Sequence, residues 1–308
     1  MSPLRQRAEE YLAVRRALGF KLYGQGQMLL QFIDHLDAEG AAVVTTELAL
    51  AWATQPSGTT PIHQRHRLSV VRGFARYMRA VEPRTEVPAE DLLPARYHRT
   101  APYLYSPSEV AELMAAARSL RSPMRAAAIE TLIGLLAVTG MRVGEAIELD
   151  RDDVDLPGML LVVRSGKNEK SRRVPLHPST TAALADYADK RDQLCRRPRS
   201  SRFLTGDGGD RLSCSTLHSE FDQLRRQTGL AVRSSTSRPP RLHDLRHTFA
   251  LRTLLNWYRA GMDVQAQVPL LSTYLGHIDP KSTYWYFEAA PELLALAAER
   301  LEQAWERP

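Results

Sequence analysis

Four short stretches of the 308-residue sequence carry side chains able to handle an anionic substrate. The first is Thr139-Gly140-Met141-Arg142-Val143-Gly144-Glu145. An apolar run ends at Gly140 and a new helix begins with Arg142 in its first turn, where Glu145 is close enough to orient the guanidinium. The second is Lys167, in the polar turn Ser165-Gly166-Lys167-Asn168-Glu169-Lys170, an ammonium able to reach into a groove and protonate a leaving oxygen. The third is His243-Asp244-Leu245-Arg246-His247-Thr248-Phe249-Ala250. His243 and Arg246 are i, i+3 neighbours at a helix start, so both can face one phosphate. His243 and His247 also have zinc-ligand spacing, but Asp244 stands where a HExxH motif needs Glu and no third ligand is near, so the metal reading is set aside. The fourth is Leu275-Gly276-His277 followed by Ser282-Thr283-Tyr284-Trp285-Tyr286-Phe287. Taken singly, each stretch has a plainer explanation: a surface ion pair, a solubilising lysine, aromatic core residues.

Periodicity predicts the elements that would hold these groups. In the first hundred residues, helices are expected over 8–18, 26–38, 46–53 and 62–80. On the last of them Arg65, Arg72, Arg76 and Arg79 share one stripe, opposite Val70, Val71, Phe74, Tyr77 and Met78. A stripe of one sign is read as a DNA-phosphate contact rather than a merely solvated face, although Arg67 falls on the apolar side. Periodicity fades from 81 to 107, where prolines recur at 83, 88, 94, 102 and 107, a linker signature. The sequence therefore divides into a helical domain over 1–82, a linker over 83–106 and a second domain over 107–308. Ser106-Pro107 opens that domain. Helices follow over 107–118, 123–138, 143–149, 179–194, 213–228 and 242–258, with strands over 159–163 and 172–176 around the Lys167 turn. The fold class is mainly α with a small antiparallel β-sheet.

Composition narrows the setting. Hydrophobic residues make up 44% and charged residues 25%, which excludes collagen-like and disordered classes. No apolar run reaches the roughly 18–20 residues of a membrane span, and residues 1–10 lack a signal-peptide core. Cys195 and Cys214 make neither a disulfide framework nor a metal quartet, so a reducing, cytoplasmic setting with nucleoid association is expected. Lys and Arg number 41 against 35 Asp and Glu, a net charge of +6 in which Arg far outnumbers Lys. Guanidinium groups pair with phosphate oxygens through two parallel hydrogen bonds, which fits a nucleic-acid partner. A high-GC genome, whose codons favour Arg, Ala and Leu, is the competing explanation.

Together the clusters read Arg, Lys, His-x-x-Arg, His, Tyr within one domain, and that order resembles the tyrosine recombinase (phage integrase) family. TG-x-R-x-x-E around Arg142, a Gly-Lys turn before RRVPL, HDLRHTFA, and LGH nine residues before a Tyr carry the resemblance over most of 106–290. The resemblance implies a core-binding helical domain and an α/β catalytic domain around duplex DNA. It implies that Arg142 and Arg246 clamp the scissile phosphate, His243 assists proton transfer, and Lys167 protonates the 5′ leaving oxygen. His277 would support the phosphate or position the nucleophile, and Tyr286 would form a 3′-phosphotyrosyl link; Glu145 and His247 would be supporting residues. Tyr274 and Tyr284 compete for the nucleophile's place, but only Tyr286 has the family spacing. Two fixed guanidiniums suit a phosphodiester transition state, and a covalent link retains the energy of the broken bond, so neither metal, cofactor nor ATP is expected. The resemblance further implies a homotetramer on synapsed sites, with accessory recombinases as further partners. Its reaction would be site-specific recombination in integration, excision, transposition or replicon resolution. A type IB topoisomerase-like relaxing enzyme and a non-catalytic DNA-binding partner are the alternatives. Two features stand apart: 257–267, read as an inserted loop or extra turn, and an apolar stripe over 291–305, read as a terminal helix for its own domain or a neighbour.

Overall fold

A computed structural model describes residues 2–55, 58–93, 101–164, 171–233, 238–277, 279 and 281–289, with 288 and 289 described by their backbone alone. Lys167 and its turn, part of the basic loop before Leu242, and the 291–305 stripe lie outside the described residues. The chain separates into two compact units, 1–99 and 100–308.

The first unit holds α1 (Pro3–Ala17), α2 (Tyr23–Ala38), α3 (Thr46–Thr54) and α4 (Pro61–Met78). Ser2, Thr45 and Thr60 cap α1, α3 and α4 by accepting a backbone N–H three residues on, and proline follows two of these caps directly. The core is built from Leu12, Leu29, Phe32, Ile33, Trp52, Leu68, Val71 and Phe74. The single exposed arginine stripe expected on α4 needs correction. Arg65, Arg76 and Arg79 are exposed, but Arg72 is only 7% exposed and donates to the carbonyls of Pro88 (2.7 Å) and Ala89 (2.6 Å). Arg76 pairs with Glu90 at 3.0 Å. Arg67 is buried as well, its guanidinium 3.6 Å above the Trp52 ring. The first part of the proline-bearing stretch thus returns along α4, its carbonyls taken by arginine side chains.

The second unit contains α5 (Pro107–Arg118), α6 (Pro123–Thr139), α7 (Val143–Ile147), β1 (Val154–Asp155), β2 (Leu160–Val163), β3 (Arg172–Pro175), α8 (Pro178–Leu194), α9 (Cys214–Gln227), α10 (Leu230–Arg233), α11 (Leu242–Arg259), α12 (Val264–Leu275) and α13 (Lys281–Ala289). Helix α6 is apolar on every side because α5, α8 and α11 surround it. The three strands form one antiparallel sheet in the order β1-β2-β3, with Leu161 opposite Val174 and Val163 opposite Arg172. The mainly helical fold with a small antiparallel sheet is the expected class. Tyr103 and Tyr105 are buried in this unit, and Thr248 accepts the Tyr105 N–H at 3.0 Å. The expected insertion over 257–267 resolves differently: α11 runs on to Arg259 and α12 starts at Val264, so the extra length lies in two helices and a four-residue turn. Within the described residues, no helix is long and apolar enough to cross a membrane.

Candidate active site

The site is built on the carboxyl ends of two helices, each stopped by a glycine in the left-handed region. Helix α6 ends at Gly140 (φ 61°), whose N–H bonds to the Leu136 carbonyl at 3.0 Å. Helix α12 ends at Gly276 (φ 68°), where the Gly276 N–H bonds to Thr273 and the His277 N–H to Ser272, the paired bonds of a Schellman turn. A Cβ at Gly140 would lie 2.5 Å from Phe249, so only glycine fits there.

These ends present carbonyls that two arginines use. Arg246, on the first turns of α11 and 2% exposed, donates to Gly140 O at 2.8 Å and Leu275 O at 2.7 Å. Arg142, just before α7, donates to Gly276 O at 2.9 Å and to Glu145 Oε1 at 2.7 Å. Consecutive carbonyls at the negative end of α12 therefore each hold one guanidinium. Burial, and after it the charge of Arg142, pulls Arg246 down to about 10, so it stays charged.

Glu145 is the anionic hub. It accepts the Arg142 backbone N–H at 2.9 Å and is clasped by Arg172 at 2.7 and 3.1 Å. Burial opposes its ionisation, but Arg172 first and then Arg142 outweigh this and hold its carboxyl at about 2. Arg172 was not anticipated as a site residue. It shares the inner face of β3 with buried Val174 while Arg173 points outward, so the alternation within RRVPL carried the signal.

Three histidines line the pocket. His243 lies beside His247, with ring centroids 4.8 Å apart, and burial followed by the charge of Arg246 lowers its pKa. His277 is pulled down to about 4 by burial and then by Arg246 and Arg142, and its Nδ1 is 2.7 Å from the hydroxyl of buried Thr283. Thr283 was likewise not anticipated, though it stands within the aromatic string. His247 is pulled down to about 3 by burial and then by His243; its Nδ1 is 3.1 Å from the Tyr286 hydroxyl.

Tyr286 is 1% exposed, its ring 6.4 Å from His277 and 5.6 Å from His247. A phenolate at Tyr286 would raise the Arg246 pKa, which puts the two side chains in one neighbourhood. Tyr284 is 49% exposed, whereas Tyr274 stacks on Phe249 at 5.6 Å. The second unit thus brings together Arg142, Glu145, His243, Arg246, His247, His277 and Tyr286, with Arg172 behind them. Among the described residues, no three His, Cys, Asp or Glu side chains form a group that could hold a metal ion.

The phage integrase family model matches residues 104–292, the span that contains this pocket. A Sinorhizobium fredii protein named as an integrase/recombinase, y4rB, is 45% identical over 312 aligned residues, covering 99% of both chains. In fold, the second unit and its partner domain are similar to the Tn1549 transposon integrase in complex with a circular intermediate DNA (16% identity, TM-score 0.67, 96% of this chain and 99% of that one). They are also similar to the lambda integrase tetramer bound to a Holliday junction (19% identity, TM-score 0.60, 91% and 79%). The chain belongs to the phage integrase family, the tyrosine recombinases.

Proposed function

We propose that this protein cleaves and rejoins duplex DNA at specific sites through a 3′-phosphotyrosyl link at Tyr286. It is a site-specific recombinase, a DNA strand-transferring enzyme. The observation that carries the catalytic reading is the meeting of Arg142, Arg246, His243, His277 and Tyr286 in one pocket. Arg142 and Arg246 hold the non-bridging oxygens of the scissile phosphate and meet the charge that builds up in the transition state. His277 is neutral near pH 7; in the tautomer whose Nδ1 accepts from Thr283, its Nε2–H hydrogen-bonds the phosphate. His243 hydrogen-bonds the same phosphate. Tyr286 attacks phosphorus, the bond to the 5′ oxygen breaks, and Lys167 supplies the proton that oxygen takes up. A 5′ hydroxyl from a second site then reverses the step, and two rounds exchange both strands through a Holliday junction.

The partner is duplex DNA, bound by a homotetramer on synapsed sites; the similar lambda integrase is a tetramer when bound to a Holliday junction. Residues 1–82 act as the core-binding domain, with Arg65, Arg76 and Arg79 on phosphates. The relaxing-enzyme and non-catalytic alternatives are not favoured, because the full-length relative is itself named an integrase/recombinase. Integration, excision or transposition of a mobile element in the cytoplasm is the natural setting.

The test is incubation with nicked half-site DNA followed by a denaturing gel. A covalent band lost in Tyr286→Phe and retained in Tyr284→Phe is the expected result. The band persisting in Tyr286→Phe would overturn the assignment of the nucleophile.

A further inference from the structure

The Tyr286 hydroxyl needs somewhere to send its proton. An unperturbed tyrosine has a pKa near 10, so a neutral phenol attacks poorly unless a base takes the proton as the new bond forms. His247 Nδ1 is 3.1 Å from that oxygen, within the reach a general base requires.

We propose that His247 is the proton acceptor that activates Tyr286, an inference that rests on the reading of Tyr286 as nucleophile. As the Tyr286 oxygen bonds to phosphorus and the bond to the 5′ oxygen breaks, the phenolic proton passes to His247 Nδ1. The resulting imidazolium returns it when the tyrosine is released by the attacking 5′ hydroxyl. No other reactant is consumed.

The surroundings suit this role. His247 is flanked on α11 by His243, Asp244 and Arg246, faces Arg238 from the preceding loop, and packs against Trp285 and Tyr286 of α13. Burial and the cationic neighbours keep the ring neutral without DNA, and the tautomer protonated on Nε2 turns the Nδ1 lone pair towards the phenol. The proton of the phenol then points at His247, which leaves the oxygen lone pairs open to phosphorus. A bound phosphate adds the missing negative charge beside Arg142 and Arg246, and this favours the imidazolium when it forms. His247 is the histidine seen hydrogen-bonded to the Tyr286 hydroxyl, and the His243 ring meets it edge-on from one helical turn away.

The experiment follows single-turnover formation of the covalent band on nicked half-site DNA, in His247→Gln and in wild type. Glutamine retains a hydrogen-bond acceptor but cannot take the proton. The rate should fall on the order of 10²–10⁴-fold with half-site affinity unchanged. The pair is then repeated with a fluorinated tyrosine of lower pKa at position 286. A base that the nucleophile no longer needs matters less, so the gap between His247→Gln and wild type should narrow. A wild-type rate in His247→Gln, or a gap the fluorinated residue leaves unchanged, would overturn the proposal. Melting curves of both proteins, and His247→Asn as a second variant, separate lost chemistry from lost folding. A band surviving in Tyr286→Phe would instead sink the nucleophile itself.

Discussion

Replacing Gly276 with alanine probes the scaffold of the site with a single methyl group. Gly276 sits at φ 68°, where a residue with a Cβ is disfavoured by about 1–2 kcal/mol. The added carbon would also lie 2.8 Å from Arg172 Nη1, closer than ordinary contact allows. A long side chain usually moves aside at little cost, but this one is fixed by two hydrogen bonds to Glu145. Moving it loosens bonds to a charged group, each worth roughly 1.5–3 kcal/mol. The combined loss is therefore a few kcal/mol. For a unit of this size, at about 2–4 °C per kcal/mol, melting should fall by about 5–15 °C. Catalysis should suffer more than melting suggests, because Gly276 O anchors Arg142 and Glu145 orients it. Displacing such a cation should slow cleavage by about 10²–10³-fold. The assays are thermal melting and single-turnover formation of the covalent band. Gly144→Ala is the control, since a Cβ there meets nothing within 4 Å and should leave melting unchanged or slightly raised. Because Arg172→Ala removes the obstruction, its loss and that of Gly276→Ala should sum to more than the loss in the double variant. Strict additivity, or a Gly276→Ala protein that melts and cleaves like wild type, would refute the linkage from Gly276 through Arg172 and Glu145 to Arg142.

Arg246→Ala should lower both cleavage and stability, since it strands the buried carbonyls of Gly140 and Leu275 at about 1–3 kcal/mol each, whereas Arg142→Ala, at a half-exposed position, should lower cleavage with a smaller change in melting. Arg79→Ala should weaken binding of every duplex and reduce the log–log salt slope by about 0.9, while Arg72→Ala should show itself as reduced melting of the first unit; filter binding across a salt series and calorimetry distinguish them. Stability should be full above pH 6.5 and fall as the pH drops towards 4 and then 3, because His277 and His247 bind protons more readily unfolded than folded; the slope is at most about 1.4 kcal/mol per pH unit per group, and pH-dependent denaturant titration measures it. A 5′-bridging sulfur, which leaves without a proton, should restore cleavage to Lys167→Ala, and no restoration would remove Lys167 from the leaving-group role.

Local signals made most of the helices legible. Ser106-Pro107 marks a helix start in sequence, and Ser106 proves to be a side-chain cap followed by proline at the first helical position, an arrangement that Ser122 and Pro123 repeat at α6. The strand over 160–163 was equally readable from its run of Leu and Val, and the polar turn after it pointed to a second strand over 172–175. Arg72 shows where such reading stops. Its place on the helical wheel, seven residues from Arg65 and from Arg79, was read correctly. What buries it is a segment that returns 16 residues later to offer two carbonyls, and no periodicity within α4 encodes that return. Arg172 failed for the opposite reason: the signal was present in the alternation of its strand, but an arginine aimed at a core face makes sense only once Glu145 is known to stand there. The stretch 257–267 reads in sequence as an inserted loop or extra turn, and nothing local shows that α11 and α12 take up most of it.

The position of Tyr286 follows from the same turn that positions Arg142 and Arg246. Leu275 and Gly276 carbonyls hold Arg246 and Arg142, and the next residue, His277, is fixed by its N–H to Ser272. From there the chain reaches α13, where Thr283 ties back to His277 and Tyr286, one helical turn later, meets His247 on α11. A displacement of the α12 terminus would therefore be felt at both cations and at the tyrosine. That coupling matters for a reaction in which the attacking oxygen and the charges on the phosphate must keep register through cleavage and again through rejoining. It also concentrates vulnerability: the left-handed glycine at 276 has no redundant partner in this linkage, so a change there should be felt at the arginines and at the tyrosine alike.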